Sequence, residues 1–282
     1  MTSPPALLIA APGARHDAAA AAFQDLVALL GRRHPGIPVA GGLVGADRWP
    51  VAEAVDELVT AGASTVAAVP LALAPDARTD DGIAGALADA AGEHPGLSVA
   101  RSRALGPDPA LLAVLERRLD EALGAGAAGR TPRDRAEVTV LLVAPGSTDP
   151  EANAEVHRAA RLFWEGRGYA GVETAFVSSA APDVPAGLDR CVRLGARRIA
   201  VVPYVLFDGG PVERARLHTE GWAAAHPDTD VRFAEVIGPV GELADLVVER
   251  YREAVSVPES VPVPAQHRPP SVQRQDTHAG AH

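Results

Sequence analysis

Short apolar runs alternate with longer amphipathic segments along the first half of the chain. Residues 7–11 (LLIAA) have the length and aliphatic content of a buried strand, and residues 18–33 repeat apolar side chains on one helical face. The same pattern predicts further strands at residues 39–44, 65–73 and 98–104, and further helices at residues 50–61, 83–91 and 109–123. Four strand–helix units in succession predict a parallel four-stranded sheet with helices on both faces.

The second half of the chain repeats this order. It predicts strands at residues 140–144, 172–177, 198–206 and 230–236, and helices at residues 152–167, 184–194, 212–225 and 241–255. Pro12-Gly13 recurs as Pro145-Gly146, and Gly106-Pro107 recurs at almost the same spacing as Gly238-Pro239. Because chance matches would not stay in phase across a whole unit, the sequence predicts an α/β protein of two tandem, duplicated domains.

Composition shifts mark the expected boundaries. Residues 124–135 are glycine-rich and then charged, as in a linker, and the chain beyond residue 256 is rich in proline and glutamine without periodicity. We therefore expect an N-terminal domain at residues 1–125, a linker at 126–137, a C-terminal domain at 138–256 and a disordered tail at 257–282.

Charge and cysteine content exclude several classes of function. The formal net charge is −10 and no Lys/Arg block occurs, so a nucleic-acid partner is not expected. No apolar stretch reaches the roughly 18 residues of a membrane span. The single cysteine, Cys191, cannot form an internal disulfide, which fits a reducing compartment. We expect a cytoplasmic protein without a membrane association.

In open parallel sheets, ligands bind beyond the carboxyl ends of the strands. The loops at those ends, after the first and third strand of each half, are residues 11–17, 74–82, 144–150 and 207–211. Each contains glycine and leads into a helix N-terminus, where free backbone N–H groups favour an anionic ligand. Neither GxGxxG nor GxxxxGK[ST] is present, so no nucleotide cofactor is expected.

Three segments carry a resemblance to a known family: HRAARLFWEGRGY at residues 157–169, VETAFV at 172–177 and GARRIAVVPY at 195–204. With the duplicated layout, they resemble the two-domain sirohydrochlorin chelatases of the CbiX type, among the class II tetrapyrrole chelatases, over roughly residues 6–256. The resemblance implies insertion of Co²⁺ or Fe²⁺, a divalent metal substrate, into a tetrapyrrole for cobalamin or sirohaem biosynthesis. It also implies that the macrocycle lies in the cleft between two chelatase-like domains.

The resemblance further implies a metal-binding histidine in the first loop, a second one after the third strand, and a glutamate after the second strand. Aligned with the family pattern, these positions are Pro12, Arg78 and Gly45, and in the second half Pro145, Pro211 and Ser178. Proline and glycine side chains cannot coordinate a metal, and arginine stays cationic. The catalytic residues are therefore not identified from the sequence.

Nearby residues could substitute. His16, Asp76, Asp80 and Asp81 are candidate metal ligands, because imidazole and carboxylates suit cobalt or ferrous iron. The alternative is that His16 is a solvated residue at a helix start and that the aspartates cap and solubilise a loop.

Candidate substrate-binding residues lie in the same loops: Gly13, Arg15, Arg78, Gly146 and Ser147. The arginines could pair with the carboxylates of a tetrapyrrole, or they could be ordinary surface charges, and Ser147 could simply cap the next helix.

Two functions remain open. The first is a chelatase with altered ligands. The second is a catalytically degenerate paralogue that binds a tetrapyrrole, or a partner chelatase of the tetrapyrrole pathway, without catalysis. Convergence of His16 with the segment 76–81 on one point of the cleft would favour the enzyme, and divergence would favour the binding protein.

Overall fold

The computed structural model describes residues 4–13, 16–124 and 131–256. The expected tail at residues 257–282 lies outside the described residues. So does Arg15, one of the candidate substrate-binding residues, and so does the first part of the expected linker.

The first half contains four strands and four helices in strict alternation: β1 Ala6–Pro12, α1 Asp17–Arg33, β2 Val39–Val44, α2 Val51–Thr60, β3 Thr65–Pro70, α3 Ala77–Glu93, β4 Ser98–Arg101 and α4 Pro109–Ala122. The second half begins with a short helix and then repeats the alternation: α5 Pro132–Arg135, β5 Thr139–Ala144, α6 Pro150–Trp164, β6 Gly171–Phe176, α7 Val184–Arg193, β7 Arg198–Pro203, α8 Gly210–Ala225, β8 Asp230–Phe233 and α9 Gly241–Ser256. None of the helices in the described ranges is long and apolar enough to cross a membrane.

The strands form two parallel sheets with the same topology. Their orders are β2-β1-β3-β4 and β6-β5-β7-β8, so β1 and β5 occupy equivalent central positions. The pairing registers also correspond, since Leu7 lies opposite Val39 in the first sheet and Val140 lies opposite Val172 in the second. The predicted α/β fold of two tandem four-stranded sheets is confirmed.

Aspartate followed by proline starts two of the helices. Asp108 accepts a hydrogen bond from the N–H of Ala110 at the start of α4, and Asp149 accepts one from Glu151 at the start of α6. The next residue is proline in both cases, which has no N–H to leave unsatisfied and has a backbone angle suited to a first helical turn.

Each sheet has two buried faces, which explains why its central strands β1 and β5 are apolar at almost every position. In β1, Leu7 and Ile9 point towards the second half of the molecule, whereas Leu8 and Ala10 contact α2 and α3 on the outer side. In β5, Leu142 points to the inner side and Leu141 to the outer side in the same way. The inner faces of both sheets contribute to one continuous hydrophobic core.

The last helix of each half packs on the sheet of the other half. Helix α9 lies against β3 and β4 of the first sheet, α4 lies against β7 of the second, and the two helices contact each other. Their apolar residues, among them Leu115 in α4 and Val247 in α9, belong to the shared core. The periodicity predicts both helices correctly, but it does not specify the sheet that each one covers.

Two equivalent arginines hold this exchange. Arg118 in α4 donates hydrogen bonds to the carbonyl oxygens of Val236 at 3.0 Å and Ile237 at 3.2 Å. Arg250, its counterpart in α9, donates to the carbonyl oxygen of Leu105 at 3.2 Å and to the carboxylate of Asp108 at 3.0 Å. The Arg250 side chain is only 1% exposed, so these partners are needed to offset the cost of burying its positive charge.

The predicted boundaries differ from the structure at particular residues. Strands β3 and β7 end at Pro70 and Pro203, earlier than predicted, because proline supplies no N–H to continue a ladder. Helix α3 begins at Ala77, earlier than predicted, because Asp76 caps it by accepting the N–H of Thr79. The short helix α5 lies within the expected linker.

We predict that Arg250→Met lowers the free energy of unfolding by about 3 kcal/mol, because it leaves the Asp108 carboxylate and the Leu105 carbonyl without their buried donor. Urea unfolding at neutral pH, followed by circular dichroism, measures the change. The control is Arg252→Met on the exposed side of the same helix, which should change stability by less than about 0.5 kcal/mol. Equal effects of the two substitutions would contradict the role given to Arg250.

Candidate functional site

A cavity of about 590 Å³ opens between the two halves, at the carboxyl ends of the strands. Pro12, Gly13 and His16 line it from the loop after β1, and Pro145 lines it from the equivalent loop after β5. The loop between β7 and α8 completes the wall with Phe207 and Gly210. A volume of this size is typical of small-molecule sites.

The walls of the cavity are largely apolar, with a few charged side chains. Phe23 and Leu43 contribute from the first half, and Val205 and Phe207 from the second. Within the part of the chain that the structure describes, three side chains supply charged or polar groups: His16, Asp208 and Arg214. This combination suits a largely apolar small molecule that carries a few polar or charged groups.

Only some of the positions where the family pattern implies metal ligands lie in the cavity. Pro12, Pro145 and Pro211 line it, but their side chains offer no donor atom. Gly45 lines a neighbouring cavity of about 470 Å³, which shares Gly13 and Leu43 with the first. Two further positions, Arg78 and Ser178, are exposed.

His16 reaches across the cleft. It is the N-cap residue of α1, but its side chain makes no capping hydrogen bond. Its imidazole lies instead against Gly210, at the start of α8 in the other half: a Cβ atom on Gly210 would lie 2.6 Å from His16 Nε2. One of the candidate metal ligands is therefore inside the cavity.

The candidate aspartates have other partners. The Asp76 carboxylate accepts hydrogen bonds from the Ser147 hydroxyl and from the N–H of Thr79. The Ser147 hydrogen bond is the main reason why the pKa of Asp76 lies below its ordinary value of 3.8, against the opposing effect of partial burial. Asp80 forms an ion pair with Arg101, and Asp81 is exposed.

The structure does not assemble the predicted metal site. In the described ranges no group of three or more His, Cys, Asp or Glu side chains is arranged to hold a metal ion. The physical reason is that the Asp76 and Asp80 carboxylates are already used by a helix cap, a serine and an arginine, while His16 lies against α8. His16 and the segment 76–81 do not converge.

Ser147 ties the second half to the first. Besides donating to Asp76, its hydroxyl accepts the N–H of Asp149 at 2.9 Å, and the second carboxylate oxygen of Asp149 accepts the N–H of Ala77 at 3.3 Å. We call this set (Asp76, Ala77, Ser147 and Asp149) the polar latch. Asn153 fixes the Ser147 backbone by donating to its carbonyl and accepting its N–H.

The latch and the His16 contact occupy equivalent positions of the duplicated fold. Asp149 corresponds to His16 and Gly210 corresponds to Ala77, with the same offset along the chain that relates the two Pro-Gly pairs. On one side the two loops are joined by hydrogen bonds. On the other side the cavity opens beside His16. The cleft is therefore asymmetric.

Two candidate binding glycines have structural reasons to be glycine. Gly13 donates its N–H to the Val44 carbonyl at 2.8 Å, and a Cβ on Gly13 would lie 2.8 Å from the same oxygen. Gly146 has φ +84°, and a Cβ there would collide with the Ser178 carbonyl oxygen. Both glycines let the exit of a central strand pass close to its neighbour.

Sequence reasoning did not select three side chains of the cavity: Phe207, Asp208 and Arg214. A signal existed for the first two, because residues 207–211 follow a third strand and lie at a carboxyl end. Arg214 gave no such signal, because the sequence shows only an arginine within a helix. Its place beside the cleft depends on how α8 packs.

The molecule is a tandem α/β protein: its two duplicated halves have the same sheet topology, and a cavity lies between them at the carboxyl ends of the strands. The chain matches the CbiX family model over residues 6–122 and 139–254, and it therefore belongs to the CbiX family.

Curated relatives agree with this family, and a solved structure shares the fold. A sirohydrochlorin cobaltochelatase of Priestia megaterium is 29% identical over 209 residues, which are 74% of this chain and 67% of that protein. A sirohydrochlorin ferrochelatase of the same organism is 27% identical over 161 residues, 56% of this chain and 57% of that protein. The structure of SirB from Bacillus subtilis with Fe³⁺ shares the fold, with a TM-score of 0.73 at 21% identity over 90% of this chain and 96% of that one.

We predict that Gly146→Ala lowers the free energy of unfolding by more than the strain of placing alanine at a positive φ would alone. The control is Gly168→Ala, at φ +78° with no atom within 4 Å of the added Cβ, which should cost about 1 kcal/mol. Gly146→Ala should cost at least about 1 kcal/mol more, because the Ser178 carbonyl must move. Thermal unfolding measures both variants, and equal costs would show that the contact is not tight.

The lowered pKa of Asp76 predicts a pH-dependent stability. The ionised carboxylate contributes stability that is fully present above pH 3.8 and is lost as the pH falls through its lower value in the folded state. The advantage of the wild type over Asp76→Asn, which keeps an N-cap, should therefore stay constant well above pH 3.8 and shrink as the pH falls below it. Urea midpoints above and below that pH measure it. In a Ser147→Ala background the pH dependence should be weaker, and an unchanged dependence would contradict the assignment to the latch.

Proposed function

We propose that this chain is a sirohydrochlorin-type chelatase that inserts Co²⁺ or Fe²⁺ into a tetrapyrrole bound in the cleft. The observation that carries the proposal is the cavity of about 590 Å³ shared by both halves of a CbiX-family chain. The curated relatives named above are a cobaltochelatase and a ferrochelatase of sirohydrochlorin, which supports this reaction class. The chain spans about two thirds and just over half of the lengths of those relatives.

The cavity suits the substrate in shape and charge. Phe207 and Val205 offer apolar surface for the faces of a macrocycle, and Phe23 lies on the opposite half. Arg214 lies at the cavity and is exposed, so it can pair with the carboxylate substituents of a sirohydrochlorin-type ring. Gly13 remains a candidate substrate-binding residue because it lines the cavity, and Arg78 remains a candidate carboxylate partner at the start of α3.

The metal is a substrate in this reaction, so the protein does not need a complete coordination sphere of its own. During insertion the inner pyrrole N–H bonds break, their protons leave, and the nitrogen electron pairs bind the metal. His16 can accept a proton or present a metal ion through its imidazole. Asp208 adds a carboxylate at the same cavity, although one of its oxygens accepts the N–H of Gly209.

A second function is favoured by specific observations, the first of which is that His16 and the segment 76–81 do not converge. Prolines occupy three cavity positions where the family pattern implies metal ligands, and the polar latch uses Asp76. A protein that binds a tetrapyrrole, or serves a partner chelatase, without inserting metal would need only the apolar walls and Arg214. Acceleration of metal insertion separates the two functions.

The proposal includes a cytoplasmic location, where a free thiol stays reduced. Cys191 is fully buried, and burial raises the pKa of its thiol to about 12, which leaves it as a small apolar side chain and not a metal ligand. No nucleotide is part of the proposed reaction.

We predict that filling the cavity weakens tetrapyrrole binding and insertion. Ala19 on α1 lines the cavity, so Ala19→Phe should raise the Kd for sirohydrochlorin at least about tenfold. Ala18→Phe on the exposed side of the same helix is the matched control and should bind like the wild type. Absorbance titration measures Kd, and the rate of absorbance change with Co²⁺ measures insertion.

The outcomes distinguish the functions. The wild type must accelerate insertion over the spontaneous reaction if it is a chelatase. Binding that is sensitive to Ala19→Phe but without acceleration would support the non-catalytic function. Binding that is unaffected by Ala19→Phe would place the tetrapyrrole outside this cavity and contradict both.

A further inference from the structure

We infer that Gly210, the first residue of α8, forms a seat that positions the His16 imidazole in the cleft. This inference rests on the proposed function, in which His16 faces the inner nitrogens or the incoming metal. It assigns a positioning role to Gly210, which acts through His16 and does not itself contact the substrate.

The seat is defined by close approach to the backbone. A Cβ added to Gly210 would lie 2.6 Å from His16 Nε2, 3.4 Å from Cε1 and 3.5 Å from Cδ2. A Cβ added to Gly209 would approach only Cδ2, at an ordinary 3.8 Å. The imidazole therefore occupies the space in which the side chain of any other residue at position 210 would begin.

Backbone conformation does not explain these glycines. Gly209 has φ 170° and ψ −173°, an extended conformation open to other residues, and Gly210 does not lie in the left-handed region. The missing Cβ at Gly210 is thus needed for its contact with His16 and not for a turn.

The His16 side chain has no competing polar partner among the described residues. It does not cap α1, and among the described residues no hydrogen bond or ion pair to the imidazole is found. An imidazole without a fixed partner can bind and release a metal ion or a proton, provided that another contact holds its position. The backbone of Gly210 supplies that contact.

The equivalent contact on the other side of the cleft differs in chemistry. There the Asp149 carboxylate accepts the N–H of Ala77, and the latch hydrogen bonds close the loops. The alanine at position 77 leaves space for a hydrogen-bonded carboxylate, and the glycine at 210 leaves space for a ring. The duplicated fold thus uses one side to join the halves and the other to position an imidazole.

The test is Gly210→Ala, with Gly209→Ala as the matched control. Gly210→Ala should lower kcat for Co²⁺ insertion at least about tenfold, because a misplacement of about 1 Å is costly in catalysis. The KM for sirohydrochlorin should change by less than about twofold, and Gly209→Ala should leave both values within about twofold of wild type.

A double-mutant cycle shows whether Gly210 acts through His16. In a His16→Ala background, Gly210→Ala should have no further effect on kcat. An equal loss with and without His16 would mean that the substitution damages α8 in general, and it would overturn the inference.

A second readout does not depend on activity. NMR of the full chain, with the His16 signals assigned from the spectrum of His16→Ala, should show an NOE between the His16 ring proton on Cε1 and the α-protons of Gly210. Gly210→Ala should shift the His16 ring signals, and Gly209→Ala should not. If the NOE is absent, or if Gly210→Ala leaves the ring signals in place, the seat does not exist. If the NOE is present but the wild type does not accelerate insertion, the proposed function fails and the seat remains.

Discussion

Helix α4 buries its apolar face on the second sheet, and α9 buries its own on the first, so neither half completes its core without the other. Arg118 and Arg250 reinforce this exchange by donating to carbonyl oxygens of the opposite half. Because packed cores do not deform continuously, the exchange sets the angle and distance between the two sheets. The width of the cleft, and therefore every contact across it, depends on these two helices.

Duplication supplies two equivalent sides of the cleft, but different residues occupy the equivalent positions and make different contacts. On one side the polar latch joins the loops through Asp76 and Asp149. On the other side the equivalent pair is His16 and Gly210, and the cavity opens beside them. A symmetric cleft would place either two latches or two cavities at the entrance. The asymmetry leaves one face for a ligand while the other holds the halves together.

The chemistry that the described residues bring to the cavity is modest: one imidazole, one carboxylate and one guanidinium on mostly apolar walls, from His16, Asp208 and Arg214. Prolines at the positions of the family's metal ligands remove strong protein coordination. In the proposed reaction a weakly held metal would be sufficient, because the macrocycle itself supplies the final donor atoms. For the same reason a small displacement of the imidazole would matter more here than in a site with several protein ligands.

The order of the elements, the duplication and the α/β class can all be predicted from the residues alone, because strand and helix periodicities are local and Pro12-Gly13 recurs in phase as Pro145-Gly146. Three of the four loops expected at a ligand site, at residues 11–17, 144–150 and 207–211, contribute described residues to the cavity, since parallel strands place their exits on one edge. Three features emerge only once the chain is folded: α4 and α9 exchange sheets, Asp76 bonds to Ser147 instead of joining a metal site, and His16 meets Gly210. Periodicity shows that a helix has an apolar face but not which surface covers it, and the reach of a side chain across a cleft depends on how the two halves are placed.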